Sequence, residues 1–139
     1  MLDWQGELVK AKMDRAAQVG IDQTTAACVR GAKNRLYPGH GYQYGVLKRS
    51  VQMRSARKDI LGWLGLWGSF DVNYASYIEL GTPPHWIGGP VKIGRGKAAE
   101  WRYIGMHPGT KPIPYLRVTA DQEYPMLAFR IKEALRKYA

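Results

Sequence analysis

Few side chains in this sequence are of the right type and spacing to do chemistry. One acid, Glu79, is embedded in apolar sequence, between Ile78 and Leu80 in the run NYASYIELGTPPHW at residues 73–86. A carboxylate there is the one candidate for a general acid or base, but that role needs a partner group and a cleft, and the neighbouring sequence supplies neither. Beside a Gly-Thr turn the same carboxylate can instead accept backbone N–H groups or an arginine fork, and this fastening role is the expectation. The three histidines, His40, His85 and His107, fall in stretches that read as loops. None has a second His, Cys or acid two to four residues on, so a metal site would have to gather all three in space. Asp121 and Glu123 form the closest acidic pair and read as an exposed helical turn. There is no P-loop, G-x-S-x-G or H-E-x-x-H, and GRGK at 94–97 has the wrong spacing for a phosphate loop. Cys28, the single cysteine, lies among Ala26, Ala27 and Val29 and reads as a small core residue. It has no internal disulfide partner, which fits a reducing compartment. No catalytic residue, metal or cofactor is expected, and the chain reads as a non-enzyme.

The elements that would position these groups follow from periodicity. Residues 3–36 read as one long helix, with Val9, Met13, Ala16, Ala17, Gly20, Thr24, Ala27 and Gly31 forming a stripe of mostly small residues. Such a stripe lets another element approach closely. Glu7 near its start and Lys33 and Arg35 near its end suit the helix dipole. Residues 38–45 read as a loop, 46–56 as a turn leading into a strand, and 60–72 as a second strand after a turn near Arg57 to Asp59. Residues 83–100 hold many Gly and Pro and read as a long mobile loop. Residues 101–106 read as a third strand. From Tyr115 onward, Leu116, Ala120, Tyr124, Leu127, Ile131, Leu135 and Tyr138 keep helical spacing, with Pro125 forcing a kink or a division into two helices. The order defines an α+β fold: a long N-terminal helix, a small antiparallel sheet and a C-terminal helix packed on the sheet.

Length and composition agree with one domain. The 139 residues are 45% hydrophobic and 23% charged, as for a globular protein. No apolar run approaches the roughly 20 residues that span a bilayer, and the start lacks the apolar core of a signal peptide. The net charge is +10, and between Gln23 and Lys58 there are eight Lys and Arg and no acid. Such a block suits an anionic partner, either nucleic acid or an acidic protein face.

Two stretches carry a resemblance. YASYIELGT (74–82), followed by HPGTKPIPYLR (107–117), resembles the neck, or head–tail joining, proteins of long-tailed phages, a family that includes lambdoid tail-completion proteins. Tyr74, Ala75, Tyr77, Glu79, Gly81 and Thr82 fill the first motif. Pro114, Tyr115, Leu116 and Arg117 fill the second, with Tyr where Phe is usual. GVLKRSV (45–51) is similar to the family's segment after its first helix, so the match spreads over residues 25–138. The Gly- and Trp-rich 83–100 stretch and Pro125 depart from the pattern.

The resemblance implies a structural virion protein that assembles as a ring, commonly six-fold, where tail meets head, with Glu79 holding the turn that leads into the 83–100 stretch. Its partners would be copies of itself and other neck, connector or tail proteins, with DNA passing through the channel. It would reside in the virion, and in the host cytoplasm during assembly. Trp86, Ile87, Lys92, Arg95 and Lys97, in the 83–100 stretch, are the expected subunit contact. The alternative is a small basic nucleic-acid-binding domain, suggested by charge with Trp and Tyr interleaved.

Overall fold

The computed structural model describes residues 5–39, 41–42, 45–94, 96 and 99–138. Helix α1 runs from Gly6 to Arg35 and is the spine of the molecule. Two-residue strands β1 (Tyr37–Pro38) and β2 (Gly41–Tyr42) pair in parallel where the sequence reads as loop. A single turn of helix, α2 (Val46–Ser50), leads into β3 (Val51–Asp59), which pairs antiparallel with β4 (Gly62–Ser69). The turn between them is Ile60–Leu61, not Arg57 to Asp59 as the polarity of those residues suggested. Then come α3 (Ala75–Leu80), β5 (His85–Ile93), β6 (Glu100–His107), α4 (Arg117–Glu123) and α5 (Leu127–Tyr138). A 3₁₀ turn over Tyr124–Met126 separates α4 from α5, so Pro125 divides the last helix in two.

The architecture is α+β, with the strands in separate two-stranded ribbons rather than one sheet. One face of β3–β4 lies on α1, and α5 packs along α1 rather than chiefly on the sheet as expected. The small-residue stripe explains this. A Cβ at Gly20 would sit 2.4 Å from Ile131 Cγ1 and 2.9 Å from the Ile131 backbone, and one at Gly31 would sit 2.7 Å from Thr119 Cγ2. Gly20 and Gly31 are therefore where α5 and α4 touch the spine, and only a residue without a side chain admits them. The N-terminal part of the stripe has no such cover: Val9 and Met13 are more than half exposed.

The core lies at the other end of α1. Ala32, Leu36, Leu47, Val51 and Tyr115 are fully buried together, with Val29, Trp67, Val72, Ala75, Ile78 and Leu116 packed around them. Two aspartates on α1 fix the β3–β4 ribbon. The register of β3 and β4 shifts between Arg54 and Arg57, and the Ala56 N–H freed there donates to Asp22 Oδ1 at 2.6 Å. Asp14 accepts from Lys58 and from the Trp63 indole N–H at 3.0 Å. These two contacts hold the carboxyl of Asp14 below its ordinary pKa. No helix is long and apolar enough to cross a membrane among the described residues.

Candidate functional site

The two motif stretches meet. Helix α3 carries Tyr74 at its N-cap and Tyr77 on an exposed face, and it points Glu79 at the start of α4. Glu79 Oε2 accepts the N–H groups of Tyr115 at 2.8 Å and Leu116 at 2.9 Å, and Oε1 accepts that of Arg117 at 2.9 Å. These N–H groups lie at a helix start, where no intrahelical acceptor exists. No side chain at the N-cap of α4 bonds to them. A carboxylate 36 to 38 residues away takes that role. Glu79 is thus a fastener, but it holds the second motif and not, as expected, the turn entering the 83–100 stretch.

The joint continues residue by residue. Ile113 N–H donates to the Ile78 carbonyl at 2.8 Å. Thr82 and Thr110 exchange backbone hydrogen bonds, both at 3.0 Å, and their hydroxyls lie 3.1 Å apart. Gly81 has φ +71, and a Cβ there would lie 2.5 Å from the Thr110 carbonyl. Gly109 has φ +85, and its Cβ would lie 2.2 Å from the Thr82 carbonyl. Both positions need glycine for conformation and for space. Pro114 is half-buried and Arg117 exposed. Tyr115 is wholly buried, and its hydroxyl has no hydrogen-bond partner within bonding geometry among the described residues. Burial raises its phenol pKa, which a nearby Ser69 hydroxyl opposes.

From this joint rises the β5–β6 hairpin. Residues 83–100, expected as a mobile loop, contribute a nine-residue strand. The register runs from His85 opposite His107 to Ile93 opposite Glu100, with an irregularity between Ile87 and Pro90. The hairpin pairs with no other strand among the described residues. Its large side chains stand in solvent: Trp86 is 72% exposed, Trp101 68%, Tyr103 80% and Met106 60%. Ile87 is half-buried and Lys92 exposed. Arg95 and Lys97 lie outside the described residues, as does His40. His85 and His107 sit at strand ends rather than in loops, with ring centroids 5.0 Å apart. His107 Nδ1 accepts the Gly109 N–H at 3.0 Å, which ties the ring to the turn after β6. No cluster of three or more potential metal ligands occurs among the described residues.

The basic block does not form one face. Arg30, Lys33 and Arg35 lie on α1, with Arg35 donating to Gln122 at 2.9 Å, while Lys48 and Arg49 lie on α2. On β3, Arg54 and Arg57 point away from α1, whereas Lys58 turns toward it. Cys28 is fully buried, and burial pushes its thiol up to about 11. Glu123, half-buried, pairs with Arg130, which also donates to Thr24 at 3.2 Å.

The sequence alone did not disclose Asp14, Asp22 and Thr110 as structural partners. Their signal is weak, since each is one polar residue whose partner lies 28 to 49 residues away. Comparison with family models, curated proteins and solved structures gives no match to this chain.

Proposed function

We propose that the chain is a structural subunit of the neck of a long-tailed phage, joining head to tail or completing the tail within a ring of its own copies. The observation that carries this reading is the β5–β6 hairpin with its exposed Trp86, Trp101, Tyr103 and Met106. A lone two-stranded hairpin is marginal in water. Large aromatic side chains are enriched in the cores of protein interfaces, where they bury much area at low rotamer cost. The resemblance of residues 74–82 and 107–117 to neck proteins supplies the setting. The joint between those two stretches supports it, because it anchors the hairpin's two legs side by side.

A closed ring needs a heterologous contact, one patch meeting a different patch on the next subunit. The hairpin supplies one half of such a contact, and six-fold closure is the count the resemblance favours. A net charge of +10 per subunit opposes closure until DNA or an acidic neighbour screens it. The isolated chain is then monomeric at low salt and assembles as salt and concentration rise. Light scattering across both variables tests this, with Trp86→Ala and a deletion of residues 88–97 as comparison. The variants should stay monomeric where the parent chain assembles. If both still yield infectious, tail-bearing particles, the hairpin is not the ring contact and the reading fails.

A further inference from the structure

A second exposed face lies on the β3–β4 hairpin. We infer that the side of this hairpin turned away from α1 docks an acidic, leucine-bearing helix of another protein. The register sets Arg54 opposite Leu66 and Arg57 opposite Leu64 on that side. Leu64 and Leu66 are 42% and 45% exposed, and both arginines are exposed. Together with Ser55 these four line a hollow of about 60 Å³. The Arg54 guanidinium lies 4.9 Å from the Phe70 ring centroid, which steadies it while leaving its N–H groups free. Neither arginine has an ion pair among the described residues.

Two cations, Arg54 steadied by Phe70 and Arg57 beside it, flank an apolar floor and are complementary to carboxylates flanking apolar side chains. The low polarity of the leucine floor strengthens an arginine–carboxylate bond seated on it. A second copy of this chain does not fit. The chain is strongly basic, six of its eleven acids (Asp14, Asp22, Glu79, Glu100, Glu123 and Glu133) are already engaged internally, and no helix among the described residues sets leucines between free acids. Duplex DNA satisfies the arginines but leaves the leucines facing phosphates, where they gain nothing. A helix can present leucines and flanking glutamates on one side, whereas an extended strand alternates them between its two faces. The fully exposed Ile60 and Leu61 at the tip extend the apolar surface past the hollow.

This inference concerns a different surface from the ring contact and stands or falls apart from it. The test uses the full chain, isotope-labelled for NMR. The three probes are a synthetic amphipathic helical peptide with leucines flanked by glutamates, a short duplex DNA, and phosphatidylglycerol vesicles. The peptide is expected to shift the amides of Arg54, Arg57, Leu64 and Leu66. Its affinity should fall about tenfold or more in Arg54→Glu/Arg57→Glu and stay unchanged in Trp86→Ala. Arg57→Glu alone, which leaves the Phe70 contact intact, should show part of the loss, with circular dichroism confirming the fold. The inference is overturned if the peptide fails to bind or binds the double variant equally well. It is also overturned if the same residues take DNA or vesicles more tightly than the peptide. Light scattering of the same variants reads ring formation separately.

Discussion

Replacing Glu79 by glutamine is the sharpest probe of the joint between α3 and α4. The carboxylate accepts three backbone N–H groups, at 2.8, 2.9 and 2.9 Å. A carboxamide has one acceptor oxygen. Placed where Oε2 stands, it keeps the bonds from Tyr115 and Leu116 but loses their charge assistance. Its NH₂ then faces the Arg117 N–H, donor against donor. Arg117 is exposed, so water can take over that N–H after a small shift, which limits the cost. A hydrogen bond to a charged group contributes about 1.5–3 kcal/mol and a neutral one about 1 kcal/mol. Losing one bond to water and weakening two gives a net destabilisation of about 1–3 kcal/mol. For a chain of this size that lowers the thermal midpoint by about 4–12 °C. Glu79→Ala removes every acceptor and should cost more. Differential scanning calorimetry gives the midpoint, and amide hydrogen exchange gives a local reading, since protection of Tyr115, Leu116 and Arg117 should fall first. An unchanged midpoint with unchanged protection of those three amides in Glu79→Gln would refute the fastening role.

Three further outcomes follow from the same geometry. Gly20→Ala should destabilise the chain, measured as a lower denaturant midpoint, even though alanine favours an isolated helix by about 1 kcal/mol, because the new Cβ meets the Ile131 backbone at 2.9 Å. Cys28, its thiol held up to about 11 by burial, should resist a thiol reagent at pH 8 in the native protein and react on unfolding. Because its folded pKa is raised, its contribution to stability is complete below the unfolded value near 9 and is lost as pH rises toward 11. Asp14 is the opposite case. Its folded pKa is depressed by Lys58 and Trp63, so its contribution is present above the ordinary value of 3.8 and is lost as pH falls through the lower folded value. Asp14→Asn should flatten the stability–pH curve on that acid side, as read by urea titration.

The sequence displayed groups and periods, and it hid whatever depended on a distant partner. Helix α1 was legible because apolar and small residues recur at its period over thirty residues. The close approach at Gly20 and Gly31 was legible as a possibility, but not which helices would use it, so the C-terminal helix was assigned to the sheet instead of the spine. Glu79 was legible as an acceptor of backbone N–H groups because nothing catalytic stood near it. Its donors lay out of reach, since 36 residues separate it from Tyr115 and no local signal names the pair. The β5–β6 hairpin is hidden in the sequence for a physical reason. Gly88, Gly89 and Pro90 fall at the irregularity between Ile87 and Pro90, where the two-residue alternation that marks a strand is broken. The β3–β4 turn was misplaced because Ile60 and Leu61, an apolar pair almost fully exposed, stand where polar residues are usual.

The β5–β6 hairpin and the Glu79 joint belong to one mechanical unit. The chain leaves α3 through Gly81 and Thr82, runs out along β5, returns along β6, and re-enters through Thr110 and Ile113 to the capped start of α4. The Thr82–Thr110 bridge and the Ile113–Ile78 bond close the base of the loop, and the Glu79 carboxylate on α3 ties the start of α4 to that base. Because α4 packs on Gly31 and Tyr115 is buried in the core, the base of the hairpin is continuous with the packed core. A force on the exposed hairpin is therefore carried into the core through backbone hydrogen bonds and three bonds to one carboxylate, not through a flexible linker. In the proposed ring, an arm tied at its base in this way would reach a neighbouring subunit from an anchored origin, which a tethered loop could not supply.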